Sequence, residues 1–201
     1  MVSGITRRAM LEILNFVGNV VDSISDEEKD RFIELLINTY HKKARVLVTG
    51  AGRSGLVGKA FAMRLLHLGF PVYVLGETIV PSITKGDVVI AISGSGRTKL
   101  VVAAAEAAKT VGAIVVALTS YYDSPLGKIS DLIVRIPGRT KIAEEEDFFA
   151  RQIIGIHESL APLGTLFEDA AMIFLDGIVA ELMEKLGKTE EDLRKQHANI
   201  E

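Results

Sequence analysis

From residue 43 to residue 191 the chain alternates two patterns. Short, almost unbroken apolar runs of five to seven residues give way to longer segments whose apolar positions recur every three or four. The first pattern predicts strands at Arg45–Thr49, Pro71–Leu75, Asp87–Ile92, Ala113–Thr119 and Leu132–Ile136. The second predicts helices at Gly55–Leu68, Thr98–Val111 and, opened by Ser124-Pro125, a short one to about Ile129. Strands that are apolar on both faces belong to a parallel sheet covered by helices on each side. The fold class is therefore α/β: a three-layer αβα arrangement of five parallel strands, with right-handed crossovers.

Two amphipathic helices precede the alternation. One carries Ile5, Met10, Leu11, Ile13, Leu14, Val17, Val20 and Val21; the other opens on Ser25-Asp26-Glu27-Glu28 and runs to about Lys43. That opening reads as a capping box, a hydroxyl and a carboxylate three residues apart satisfying each other's backbone N–H. The apolar stripes of these helices either cover the domain or meet another subunit. After the last strand, residues 137–161 lose the rhythm; they read as a connection with a short helix and a candidate subunit contact. A strongly apolar helix, Thr165–Leu186, then stops at Gly187 as its C′ residue, and Glu190–Lys195 forms a last short helix. The whole, 1–201, is read as one domain, with helices 1–43 and the segment 165–201 packed on it.

Composition narrows the function. With 201 residues and 48% apolar content the chain can bury one substantial core. Its 23 basic and 26 acidic residues, without a basic run, exclude the clustered positive face a nucleic-acid partner requires. There are no cysteines, hence no disulfides or thiolate ligands. No apolar stretch follows Arg7-Arg8 as a secretion signal, and none is long enough to span a bilayer. A cytoplasmic, membrane-free protein is expected. None of the four histidines is spaced to share a metal with another, so no metal is expected.

The chemistry concentrates where two strands end. Ile90-Ala91-Ile92 stops on Ser93-Gly94-Ser95-Gly96-Arg97-Thr98-Lys99, a strand-to-helix turn of glycines and hydroxyls. The first turn of a helix offers unpaired backbone N–H groups, glycines admit close approach, and hydroxyls add donors, which together suit a phosphate. The competing reading is an N-cap region, for which one hydroxyl suffices. The strand at 45–49 ends in the same way on Gly50-Ala51-Gly52-Arg53-Ser54-Gly55. This matches the G-x-G-x-x-G dinucleotide fingerprint, and Glu77 falls where a ribose-binding acid would sit. Against nicotinamide cofactor binding stand the second phosphate-type loop, the polar Arg53 and Ser54, and the lack of a second domain. Thr165-Leu166-Phe167-Glu168 reads as a capping box, with Thr165 as N-cap and Glu168 as N3. His67 lies near a helix end, His157 reads as surface, and His197 falls in a polar tail.

Taken together, Gly50–Gly55, Phe61-Ala62-Met63-Arg64-Leu65-Leu66-His67-Leu68-Gly69-Phe70, Gly76-Glu77-Thr78, Ser93–Thr98, Pro162-Leu163-Gly164-Thr165-Leu166-Phe167-Glu168 and His197-Ala198-Asn199-Ile200-Glu201 resemble the SIS (sugar isomerase) fold, and within it the 6-phospho-3-hexuloisomerase family. The resemblance runs from about residue 5 to the end and departs from the pattern around Thr140–Glu158, which is longer. It implies a cofactor-free isomerisation of 3-hexulose 6-phosphate and fructose 6-phosphate in a tetramer of paired dimers. It also implies a phosphate loop at Ser93–Thr98 with Lys99, substrate contact at Gly52, Arg53 and Ser54, and Glu168 as the base. His67 and His197 become candidates for proton shuttling, either one able to reach a neighbouring subunit's site. The alternatives are a non-catalytic phosphosugar-sensing module of the same fold and, further off, the nucleotide-dependent oxidoreductase.

Overall fold

A computed structural model describes residues 4–138 and 160–197. Its elements in chain order are α1 (Gly4–Val21), α2 (Asp26–Lys42), β1 (Val46–Gly50), α3 (Gly52–Leu68), β2 (Val72–Val74), β3 (Val88–Ile92), α4 (Lys99–Thr110), β4 (Ile114–Thr119), α5 (Pro125–Ile129) and β5 (Leu132–Arg135). Two helices close it, α6 (Thr165–Lys185) and α7 (Glu190–Lys195). The strands form one parallel sheet, as the apolar runs predict, and their order is β2-β1-β3-β4-β5.

Because side chains alternate across a strand, each strand feeds two cores. Val46, Val48, Val88, Ile90, Ile92, Val116, Leu118 and Val134 face the layer of α1, α2, α3 and α6, where Phe32, Leu36, Leu65 and Leu175 are buried. Leu47, Val89, Ala91, Val115 and Ala117 face α4 and α5, against Val101, Ala105 and Leu126. Every residue of β3 is fully buried, as befits the central strand.

Helix ends follow local chemistry in most places. Gly187, at φ +63°, ends α6 in a Schellman motif: its N–H donates to the Glu184 carbonyl, and the N–H of Lys188 to that of Met183 at 2.8 Å. The start of α2 differs from expectation. Ser25 does cap α2, accepting the N–H of Glu28, but Glu28 does not reciprocate. Its carboxylate accepts the Tyr122 hydroxyl at 2.6 Å and the Arg135 N–H at 2.8 Å, tying α2 to the far edge of the sheet. The reciprocal box belongs instead to Thr189 and Asp192 at α7. The second strand also shortens, from Pro71–Leu75 to Val72–Val74, at the sheet's edge. Expectations for residues 139–159, including His157, lie outside the described residues. Among those described, no helix is long and apolar enough to cross a membrane.

The strand order makes the site. From β1 the chain goes outward to β2 and then returns to β3 on the other side, so β1 and β3 flank the switch point, the usual ligand crevice of such sheets. Their register sets Gly50 beside Ile92, so the two loops leave the sheet at one level.

Candidate active site

The two loops and the start of α6 enclose an open cleft of about 260 Å³. It is lined by Ala51 and Ser54 of the first loop, Ser93, Gly94, Ser95 and Thr98 of the second, and Leu163, Gly164, Phe167 and Glu168.

In the first loop Gly50 and Gly55 are steric requirements. A Cβ on Gly50 would lie 2.8 Å from the Ser54 carbonyl oxygen, and one on Gly55 would lie 2.9 Å from that of Gly50. The strand end thus rests directly on the first helical turn, which begins at Gly52 rather than Gly55. This turn carries Ser54 to the cleft.

The second loop is tied from beneath. The N–H groups of Ser120 and Leu126 donate to the Gly94 and Gly96 carbonyls, and Ser93 N–H donates to Leu118. Gly96, at φ +61°, could not bear a side chain: its Cβ would fall 2.0 Å from Ser124 Oγ. The hydroxyls do not serve as caps for α4. Thr98 occupies the N-cap position without a side-chain cap bond, and its Oγ1 lies 3.0 Å from Ser93 Oγ. Ser95 Oγ accepts only the local N–H of Arg97 at 3.2 Å. The N-cap alternative therefore does not account for them. Arg97 and Lys99 are exposed and, like Gly52 and Gly96, are not among the residues that line the cleft.

Glu168 is placed by a correction to the sequence reading. The N-cap of α6 is Gly164, in the left-handed region at φ +91°, and not Thr165, which is buried one residue inside the helix. Glu168 N–H donates to the Gly164 carbonyl, and the carboxylate lies over Gly164, where a Cβ would meet Oε1 at 3.2 Å, but it makes no cap bond to the backbone. Instead Glu168 Oε2 accepts Arg53 Nε at 2.6 Å, with the carboxylate only 13% exposed. Arg53 Nη2 donates to Asp169 Oδ1 at 3.2 Å. Arg53, expected to touch substrate, is thus engaged with two carboxylates and does not line the cleft. The ribose-type acid Glu77 is paired with Lys59 at 2.6 Å.

His67 and His197 come together, their ring centroids 4.2 Å apart. Burial first, then the like charges of His197 and Arg64, lower the His67 pKa below its ordinary value. Its Nδ1 has no hydrogen-bond partner among the described residues. The pair sits at the C-terminal end of α3, roughly 20 Å along the helix from Ser54 at 1.5 Å per residue. Within one chain it does not reach the cleft. Among the described residues no three His, Asp or Glu side chains gather as a metal site.

Asp169 and Phe167 escaped the sequence reading. Phe167 packs its ring against Gly94, where a Cβ would approach it to 2.9 Å, so the helix bearing Glu168 braces the phosphate-type loop. An acidic pair, Glu168-Asp169, opening a helix opposite a loop arginine was the available signal for Asp169.

Residues 39–151 match the SIS domain model. A protein of Aeropyrum pernix is 62% identical over 96% of this chain and 92% of its own length. The 3-hexulose-6-phosphate isomerase of Bacillus subtilis is 39% identical over 98% of this chain and 99% of its own. A crystal structure from Methanococcus jannaschii, for which a function of 3-hexulose-6-phosphate isomerase was inferred, superposes with a TM-score of 0.73 at 33% identity, covering 96% of this chain and 97% of the other.

Proposed function

The chain belongs to the SIS domain family, and from that premise we propose that it interconverts 3-hexulose 6-phosphate and fructose 6-phosphate without a cofactor. One observation carries the reading: the Glu168 carboxylate and the hydroxyl-glycine loop Ser93–Thr98 line the same cleft at the switch point of the sheet. The likeness to hexulose-phosphate isomerases over nearly the full length of both chains supports the substrate.

The phosphate is held by Ser93, Ser95 and Thr98 together with the loop amides, and the exposed Arg97 and Lys99 of the same segment add positive charge. Gly52 lets the first loop approach, and Ser54 contacts the sugar. Gripping the phosphate fixes carbons 2 and 3 against the base, so binding energy remote from the reaction supplies orientation. Glu168 takes the proton from carbon 2. The carbon 3 carbonyl becomes an enediol oxygen, and a proton returns to carbon 3 as the carbon 2 hydroxyl becomes the new carbonyl. A positioned carboxylate contributes about 10²–10⁴-fold to such transfers. Loop donors already aimed at the developing oxyanion add to it.

The same reading includes a tetramer of paired dimers in the cytoplasm. Val21 of α1 and Ile173 of α6 are exposed and line an apolar groove, and α1 also exposes Ile5, Met10, Leu11 and Leu14, which favours a subunit contact on this face. In that assembly His67 and His197 serve a neighbouring subunit's cleft, moving the hydroxyl proton between oxygens. Light scattering tests the assembly. Adding 3-hexulose 6-phosphate in chelator-treated buffer and following fructose 6-phosphate tests the reaction; tight phosphosugar binding without turnover would instead support the sensing module.

A further inference from the structure

A general base must keep an oxygen free for the carbon-bound proton, and an arginine beside it threatens that. The Nε–H and Nη2–H edge of a guanidinium matches both oxygens of one carboxylate in a bidentate clamp. Arg53 uses this edge but splits it. Nε goes to Glu168 Oε2 at 2.6 Å and Nη2 to Asp169 Oδ1 at 3.2 Å, which leaves Glu168 Oε1 outside the pair. Asp169 does not line the cleft, and its side chain is 37% exposed. As consecutive helical residues, Glu168 and Asp169 point about 100° apart at 3.6 residues per turn. One carboxylate can therefore face the cleft while its neighbour reaches the outer nitrogen.

Resting on the reading of Glu168 as the base, we propose that Asp169 is a positioning residue: by drawing Nη2 of Arg53 away, it prevents a bidentate clamp on Glu168 and keeps Oε1 free to take the proton. Without Asp169 the guanidinium turns its whole edge onto Glu168, and both oxygens are occupied. The ordinary alternative is an exposed ion pair of little consequence, worth about 0–1 kcal/mol for such pairs in general. The two differ in what happens when Arg53 can no longer clamp, since a lysine ammonium binds as a single point charge.

The test is a double-mutant cycle of the full chain, with kcat, KM and melting temperature measured for wild type, Asp169→Ala, Arg53→Lys and the double variant. Asp169→Ala is expected to lower kcat roughly tenfold with KM within about twofold, the range that small misplacement of a reacting group produces. In the Arg53→Lys background the same change is expected to cost less than about twofold, giving a strong coupling. Asp169→Glu, which keeps a carboxylate, should recover most of kcat. Equal losses in both backgrounds, or an unchanged kcat in Asp169→Ala, would overturn the proposal. A wild type without turnover would fail the isomerase reading instead; a crystal structure of Asp169→Ala then decides separately. Arg53 on both Glu168 oxygens supports the proposal, and Arg53 still on Oε2 alone overturns it.

Discussion

Arg53 and Glu168 stand 115 residues apart in the chain and meet at 2.6 Å, guanidinium Nε on carboxylate Oε2. One belongs to the turn after β1 and the other to the first turn of α6. Their meeting shows how the fold assembles the cleft: α6 packs along α3 and delivers its N-terminal carboxylate to the switch point between β1 and β3. A charged pair is the strongest hydrogen bond available to either partner there.

Ser95→Ala removes a hydroxyl from the phosphate-type loop while leaving its backbone ties to Leu118, Ser120 and Leu126 in place. The expected result is a KM raised roughly tenfold, about 1.4 kcal/mol, with kcat changed little and weaker binding of inorganic phosphate. Titration calorimetry with phosphate and steady-state kinetics check both.

Phe167→Ala couples packing to the site. Phe167 is 2% exposed, with its ring against Gly94 and its Cβ and backbone against Gly138. Truncating a buried phenylalanine costs about 3–5 kcal/mol, so denaturant unfolding should register a loss of that order. Phosphate binding should weaken as well, because the brace under Gly94 is gone.

His67 makes stability fall in mild acid. Its pKa is lowered in the folded chain, chiefly by burial, so the folded state resists a proton that the unfolded chain accepts near about 6.5. The unfolded state then binds more protons, and linkage requires stability to drop as pH falls below that value and to be complete above it. Between pH 7.5 and 5.5 the wild type should lose more melting temperature than His67→Phe, which keeps a ring but cannot titrate. An equal loss in both would assign the acid sensitivity to other groups.

Much of the fold was legible because it rests on short-range pattern. The continuous runs at 88–92 and 114–119 read as buried strands, and the glycine at 187 marked a helix end by chemistry that needs no partner. The capping boxes show where local reading stops. Ser25–Glu28 and Thr165–Glu168 carry the same four-residue signal, yet in both the carboxylate left its own helix for a distant donor: Tyr122 and Arg135 for Glu28, Arg53 for Glu168. A local motif cannot reveal a competitor that only tertiary packing supplies. For the same reason the two loops were readable as a pair, while Asp169 and the His67–His197 stack were not.

The central claim is that Glu168 moves the proton while the second loop holds the phosphate, and Glu168→Gln tests it most directly because the amide keeps the shape of the side chain without its basicity. Conversion of 3-hexulose 6-phosphate to fructose 6-phosphate by wild type and variant should differ by about 10²–10⁴-fold in kcat, with the phosphosugar dissociation constant nearly unchanged. A variant that turns over at close to the wild-type rate would contradict the account.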